Sequence, residues 1–327
     1  MSVDSLFQGR VIRITIDFPG IRVDRPNIYL IKSRDGYSMI DCGGYDLESD
    51  LPMLGSLIRE AGIDIGDIKE IFLTHTHKDH AFLVSKVQSI TGARVYMGRD
   101  DYYRLSDNLT AYQEFFSRIE DYLSYWGFRQ DMVDRFFRSF NRQYYNAGLD
   151  VTAITFVERY MRLSEFDILF TPGHTRGSIC LYHRESGLLF TGDTLMKKIV
   201  SVPIIEYSGS STTSMLTEHT ETLRKLREIR CTAILPGHGD VITDEKGVID
   251  AIFAYIERRA KRVESLIREG LNDVYSLAHS LYGRDVLYDV VCKEEPTVYV
   301  SDLMMPLEYL FGQNRIRVED GRIKLLD

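Results

Sequence analysis

The sequence predicts an α/β (α+β) fold carrying a helical insertion and a small C-terminal appendage. Three observations lead there. Strand-like runs and amphipathic stretches interleave from residue 11 to residue 97, and strand-like runs resume after residue 152. The 327 residues are 44% hydrophobic and 27% charged, enough for one large domain and a smaller addition. Four of the strand-like runs end in segments bearing histidine or aspartate.

Val11 to Ile16 alternates as a strand, and the apolar runs Asn27–Ile31 and Tyr37–Ile40 follow it across turn residues such as Asp35-Gly36. A helix is expected from Leu47 to Glu60, stopped by Gly62. Ile68–Thr74 reads as a short buried strand, Asp79–Ile90 as the next helix and Arg94–Met97 as another strand. Residues 99–148 hold 14 aromatics and no proline, paired at helical spacings such as Phe115-Phe116, Tyr122/Tyr125/Trp126, Phe136-Phe137/Phe140 and Tyr144-Tyr145. They predict two or three inserted helices whose rings pack on each other, a minority forming an apolar lid or a dimer surface.

Strands are expected again at Ala153–Glu158, around Arg162, and at Asp167–Thr171, Ser178–His183 and Leu188–Gly192. A helix from Ser210 to Ile229, a strand Thr232–Leu235 and a long helix Lys246–Glu269 come next. The end of the chain reads as helix Asp273–Tyr282, helix Asp302–Phe311 with Ser301 as N-cap, and a hairpin Arg315–Leu325 turning at Asp320-Gly321. Residues 1–250 are thus expected to form the main domain and residues 251–327 a winged-helix-like appendage.

The composition narrows the function classes. No apolar run approaches the roughly 18 residues of a membrane span, and the N-terminal residues lack the order of a secretion signal, so a cytoplasmic protein is expected. Cys42, Cys180, Cys231 and Cys292 form no C-x-x-C pair, which predicts small buried residues in place of thiolate-bound zinc or disulfides. A formal net charge of −8 argues against a general polyanion binder.

Chemistry concentrates in four segments. His75-x-His77-x-Asp79-His80 puts three histidines and an aspartate within six residues, a density that packing rarely needs. Two histidines one residue apart can reach one metal from a loop, while Asp79 and His80 open a helix and can turn toward a second. Pro172-Gly173-His174-Thr175, Thr191-Gly192-Asp193-Thr194 and Pro236-Gly237-His238-Gly239 each set glycine beside a candidate ligand, letting the backbone bend and come close. Imidazoles and carboxylates suit zinc, and also iron or manganese. His183, His219 and His279 belong to no such segment and read as surface or partly buried structural residues.

This ordered set resembles the metallo-β-lactamase superfamily, especially its glyoxalase II-like hydrolases, over about residues 10–245 outside the insertion. Asp41 with Gly43 matches the Asp-x-Gly that closes an early strand in that family. The resemblance implies an αβ/βα four-layer sandwich, with the site at one edge between the sheets. It also implies His75, His77 and His174 on one metal, Asp79, His80 and His238 on a second, and Asp193 bridging them. Two divalent ions, zinc foremost, would hold a hydroxide that attacks the substrate. Asp79 would then orient that hydroxide and shuttle its proton. One departure is visible: such proteins commonly have x-Gly-Gly after the Asp-His pair, where this chain has Ala81-Phe82-Leu83.

A small-molecule thioester or ester is the substrate class expected, with no membrane and no nucleic-acid partner and with homodimerisation open. The alternative is a phosphodiesterase or ribonuclease, against which the charge of residues 271–327 speaks: 6 Lys/Arg and 10 Asp/Glu, a net of −4. A mononuclear iron oxygenase or a non-catalytic binding protein is the third reading, and it would leave several of the seven ligands redundant.

Overall fold

A computed structural model describes residues 1–16, 25–104, 109–144, 151–197, 214–283 and 296–326. Seven strands make the first sheet in sequence order: β1 (Ser2–Leu6), β2 (Val11–Thr15), β3 (Asn27–Ser33), β4 (Gly36–Ile40), β5 (Ile68–Phe72), β6 (Arg94–Gly98) and β7 (Ile154–Val157). β1 to β4 pair antiparallel, and β4 to β7 pair parallel. The second sheet runs β12-β11-β10-β9-β8, from β8 (Met161–Leu163), β9 (Phe166–Phe170), β10 (Ile179–His183), β11 (Leu188–Gly192) and β12 (Ala233–Pro236). Its pairs are antiparallel except β11 with β12.

Side-chain alternation builds the layers. On β3, Tyr29 and Ile31 enter the core between the sheets, while Ile28 and Leu30 face the other way. On β11, Leu188 and Phe190 join that inter-sheet core and Leu189 turns outward. Phe72 of β5 stacks on Tyr96 at 4.8 Å and meets Phe166 of the second sheet at 5.2 Å. Outside the first sheet lie α1 (Leu47–Glu60) and α3 (Val84–Thr91), through Leu54, Leu57, Ile58, Val84 and Val87. Outside the second lie α6 (Met215–Arg227) and α7 (Glu245–Arg268), through Leu223, Leu226, Ile249, Ile252 and Ile256. The architecture is the four-layer αβ/βα sandwich.

Several local expectations change. β1 was not anticipated, because Ser2–Leu6 is a half-buried edge strand without an apolar face. The helix expected over 79–90 is two: α2 (Lys78–Ala81) ends at Phe82, and α3 starts at Val84. Leu83 between them is fully buried. Ser301 is no N-cap, since α9 (Pro296–Gly312) begins five residues earlier and runs through it. Nor does the backbone break at 250, because α7 passes straight through it.

The insertion contributes α4 (Leu109–Tyr125) and α5 (Gln130–Tyr144). The chain ends with α8 (Val274–Tyr282), α9 and the hairpin β13 (Ile316–Glu319) and β14 (Arg322–Leu325). Asp320 and Gly321 both take positive φ, as a tight two-residue hairpin turn demands. Insertion and C-terminal segments share one core. Ile119, Leu123, Trp126, Met132 and Phe136 pack with Val263, Leu277, Leu303, Leu307, Ile316 and Ile323. Most described aromatics of the insertion pack there, with Tyr125 and Tyr102 exposed. Tyr145, Cys292 and the helix start expected at Ser210 lie outside the described residues, as do the side chains of Phe115, Phe140 and Tyr144. No helix among the described residues is long and apolar enough to cross a membrane.

Candidate metal centre

The candidate ligands follow the ends of β5, β9, β11 and β12, and hydrogen bonds between and within the two sheets bring those ends to one edge. Ile179 N–H donates to Thr74 O at 2.8 Å, and Gly237 N–H to Gly192 O at 2.7 Å. From the first sheet, the Asn27 side chain donates to Pro236 O and Gly239 O, each at 2.9 Å, and Tyr29 OH donates to Pro236 O at 2.7 Å. Gly237 must be glycine: a Cβ there would stand 2.3 Å from Asp193 Oδ1 and 2.9 Å from His80 Cε1.

Two donor sets result. His75, His77, His174 and Asp193 form one group that could hold a metal ion, and Asp79, His80 and His238 form another. Within the first, His77 Nδ1 lies 3.0 Å from both His75 Nε2 and His174 Nε2. In the second, His80 Nε2 and His238 Nε2 are 3.1 Å apart, and Asp79 Oδ2 is 3.2 Å from His238 Nε2. Asp193 stands between the sets. Its Oδ2 is 3.6 Å from His174 Nε2 and 3.5 Å from His238 Nε2, and its Oδ1 is 3.5 Å from His80 Nε2. Among the described residues, Oδ1 takes no hydrogen bond although it is buried.

A divalent cation fits each set. Four ligands arranged tetrahedrally at the usual zinc–nitrogen distance stand about 3.3 Å from one another, close to the separations seen here. Imidazole nitrogens at these distances share either a proton or a cation. Burial opposes protonation of His238, but Asp193 and Asp79 outweigh it and push its pKa up to about 10. His80 is pushed well up by Asp193, Asp79 and Asp41 against the same burial cost. For Asp193, burial favours the neutral acid, yet His238 and His80 hold it well below the usual carboxylate range.

A family model of the metallo-beta-lactamase superfamily matches residues 21–238, which span all four ligand segments. The chain belongs to the metallo-β-lactamase superfamily. It is 24% identical over 310 residues to the probable metallo-hydrolase YqjP of Bacillus subtilis (strain 168), covering 91% of each chain. Over a shorter stretch of 92 residues, 28% of this chain and 27% of its relative, it is 35% identical to an atrochrysone carboxyl ACP thioesterase of Emericella nidulans. Among solved structures, a metallo-beta-lactamase family protein from Thermus thermophilus superposes with a TM-score of 0.73 at 18% identity, over 97% of this chain and 99% of that one.

In this member of the superfamily, two buried aspartates brace the segments that carry the histidines. Asp41, at φ 59°, accepts from Thr74 N–H and Thr74 Oγ1, each at 2.8 Å, and its Oδ2 lies 2.9 Å from His80 Nδ1. Thr74 Oγ1 in turn lies 3.1 Å from His75 Nδ1. Such outer contacts fix which ring nitrogen would face a metal. Asp101 was not singled out from sequence. It sits in the first turn of the insertion, in a polar run with no motif around it. There it accepts from Thr76 N–H at 3.1 Å, Thr175 Oγ1 at 2.8 Å and Gly177 N–H at 2.8 Å.

The other histidines divide. His279 is exposed, as a surface residue should be, but His183 and His219 are buried at 8% and 1% exposure. His219 lies against the ligand loop, where a Cβ on Gly173 would come within 2.4 Å of its Cα. Burial, with His174 nearby, lowers its pKa to about 3, so the ring stays neutral. Cys42 and Cys180 are buried thiols, and burial pushes Cys180 up to about 12.

Proposed function

We propose that this superfamily member is a hydrolase that works with two divalent cations, zinc foremost, on a small-molecule thioester or ester. The observation that carries the reading is the pair of donor sets on either side of Asp193. Two such cations supply an acidified water as nucleophile and polarise the carbonyl under attack. His75, His77 and His174 would hold one, Asp79, His80 and His238 the other, and Asp193 both.

Asp79 has the further task of moving the proton. Its side chain is 14% exposed, against 1% for His238 and 0% for His80, so it meets the space a substrate enters. A carboxylate there holds the proton that the attacking water loses and returns it to the departing sulfur or oxygen. The C–S or C–O bond breaks as the new C–O bond forms, giving a carboxylic acid and a thiol or alcohol. No side-chain nucleophile is required, and the buried Cys42 and Cys180 offer none.

The thioester reading leans on the glyoxalase II-like motif set and on the fungal relative named a thioesterase. Phosphodiester cleavage is disfavoured by the net charge of −4 over residues 271–327. The test combines metal analysis with four reporters: an acyl thioester, a lactone, a phosphodiester and a β-lactam. Two metals per chain with thioester or lactone turnover is the expected result. Turnover of the phosphodiester alone would reverse the choice of substrate, and one iron per chain with no turnover would favour an oxygenase.

A further inference from the structure

The ligand His174 sits on a loop that α6 covers along its length. Thr222 Oγ1 of α6 donates to Pro172 O at 2.7 Å, and Arg176 Nη1 donates to Glu218 Oε1 at 3.2 Å. Between them, His219 abuts Gly173, whose φ of 146° and missing Cβ permit the contact. Where α6 stands therefore decides where His174 stands.

The start of α6 is held from outside the sandwich. Glu308 of α9 is fixed by a hydrogen bond from the Tyr122 hydroxyl of α4. Burial pushes its carboxyl up, while Tyr122, the Leu216 N–H and the Ser214 hydroxyl favour the charged form. Ser214 is the N-cap of α6, its side chain accepting from Thr217 N–H. The Glu308–Tyr122 bond thus joins the insertion to the C-terminal helix, and that helix packs on the first turn of α6 through Met305 against Leu216.

We propose that Glu308 is a positioning residue for the metal centre: by clamping α4 to α9, which packs on α6, it sets the loop that presents His174. The inference rests on the reading of His174 as a ligand.

The test is titration of the metal-free full-length chain with Co2+, followed by its visible absorption bands, alongside the thermal midpoint of each metal-free variant. Glu308→Leu should weaken Co2+ binding roughly tenfold, the lower range for residues that support ligands, and alter the band intensities. Glu308→Gln keeps an acceptor oxygen and should bind close to wild type. Tyr122→Phe, the gentlest change, should give a smaller loss in the same direction. Leu303→Ala, on the same helix in the shared core, should lower the thermal midpoint and leave Co2+ affinity unchanged. The proposal fails if Glu308→Leu and Tyr122→Phe weaken Co2+ binding no more than Leu303→Ala does. A wild-type chain that binds no Co2+ would overturn the ligand reading itself.

Discussion

Asp101 receives the Thr175 hydroxyl at 2.8 Å, joining the first turn of the insertion to the residue that follows His174. The same carboxylate takes the N–H groups of Thr76, between His75 and His77, and of Gly177. One fully buried side chain therefore ties the loops of three candidate ligands. Its removal strands the Thr76 and Gly177 N–H groups in the interior, each costing about 1–3 kcal/mol, and leaves the Thr175 hydroxyl only Ser178 Oγ. Asp101→Ala should destabilise the fold by about 3 kcal/mol or more and weaken metal binding. Asp101→Asn should also fail, because its amide N–H₂ would face N–H donors. Denaturant unfolding of the metal-free chain checks the first outcome, and a wild-type midpoint for either variant would contradict the account.

Gly237 allows the β12 loop to pass under Asp193 with no room for a methyl group. The atoms a Cβ would meet are the Asp193 carboxylate, the Gly192 backbone and the His80 ring, and the backbone cannot give way. Gly237→Ala must therefore displace the carboxylate standing between the two donor sets. A shift of an ångström in catalytic geometry costs roughly 100-fold in rate. That loss should appear in turnover of whichever ester the protein hydrolyses, with the far-ultraviolet circular dichroism unchanged. Full activity in this variant would mean that Asp193 is not where the chemistry occurs.

Much of this candidate site was legible in the sequence because its candidate ligands are local. His75, His77, Asp79 and His80 lie within six residues, and the other three carry glycine neighbours that mark a bend. Strand boundaries mostly followed too, since continuous apolar runs such as Asn27–Ile31 belong to strands packed on both faces. What stayed hidden depends on contacts between segments distant in sequence. Asp101 takes its role only once Thr76 and Thr175 are brought to it, and His219 is buried only because α6 lies on Gly173. The shared core of the insertion and the C-terminal segments joins residues more than a hundred positions apart, which helical periodicity cannot reveal.

That shared core makes its own prediction. Trp126 of the insertion is 2% exposed and meets Phe311 of α9 edge-on, ring centroids 5.7 Å apart. Trp126→Ala removes the larger partner, a change that costs about 3–5 kcal/mol in a core. If insertion and C-terminal segments unfold as one body, amide exchange should accelerate in residues 296–326 as well as around position 126. Faster exchange confined to 109–144 would show two independent units.

Protonation of the metal centre sets a final expectation. A metal takes the neutral imidazole, yet in the metal-free chain the His238 pKa is pushed up to about 10, as burial is outweighed by Asp193 and Asp79. At neutral pH that ring carries a proton, which metal binding must expel. Affinity should therefore rise with pH from about 6 to about 9, by about tenfold per unit for each proton released. Calorimetry in two buffers of different ionisation enthalpy counts the protons directly, and zero release would refute the assignment of His238. The fold of the metal-free chain responds with the opposite sign. A raised histidine pKa contributes stability fully below the unfolded value of 6.5 and loses it as pH climbs through about 10. Alkaline solution should thus loosen the metal-free centre while strengthening its hold on a cation, and the gap between metal-free and metal-loaded thermal midpoints should widen as pH rises.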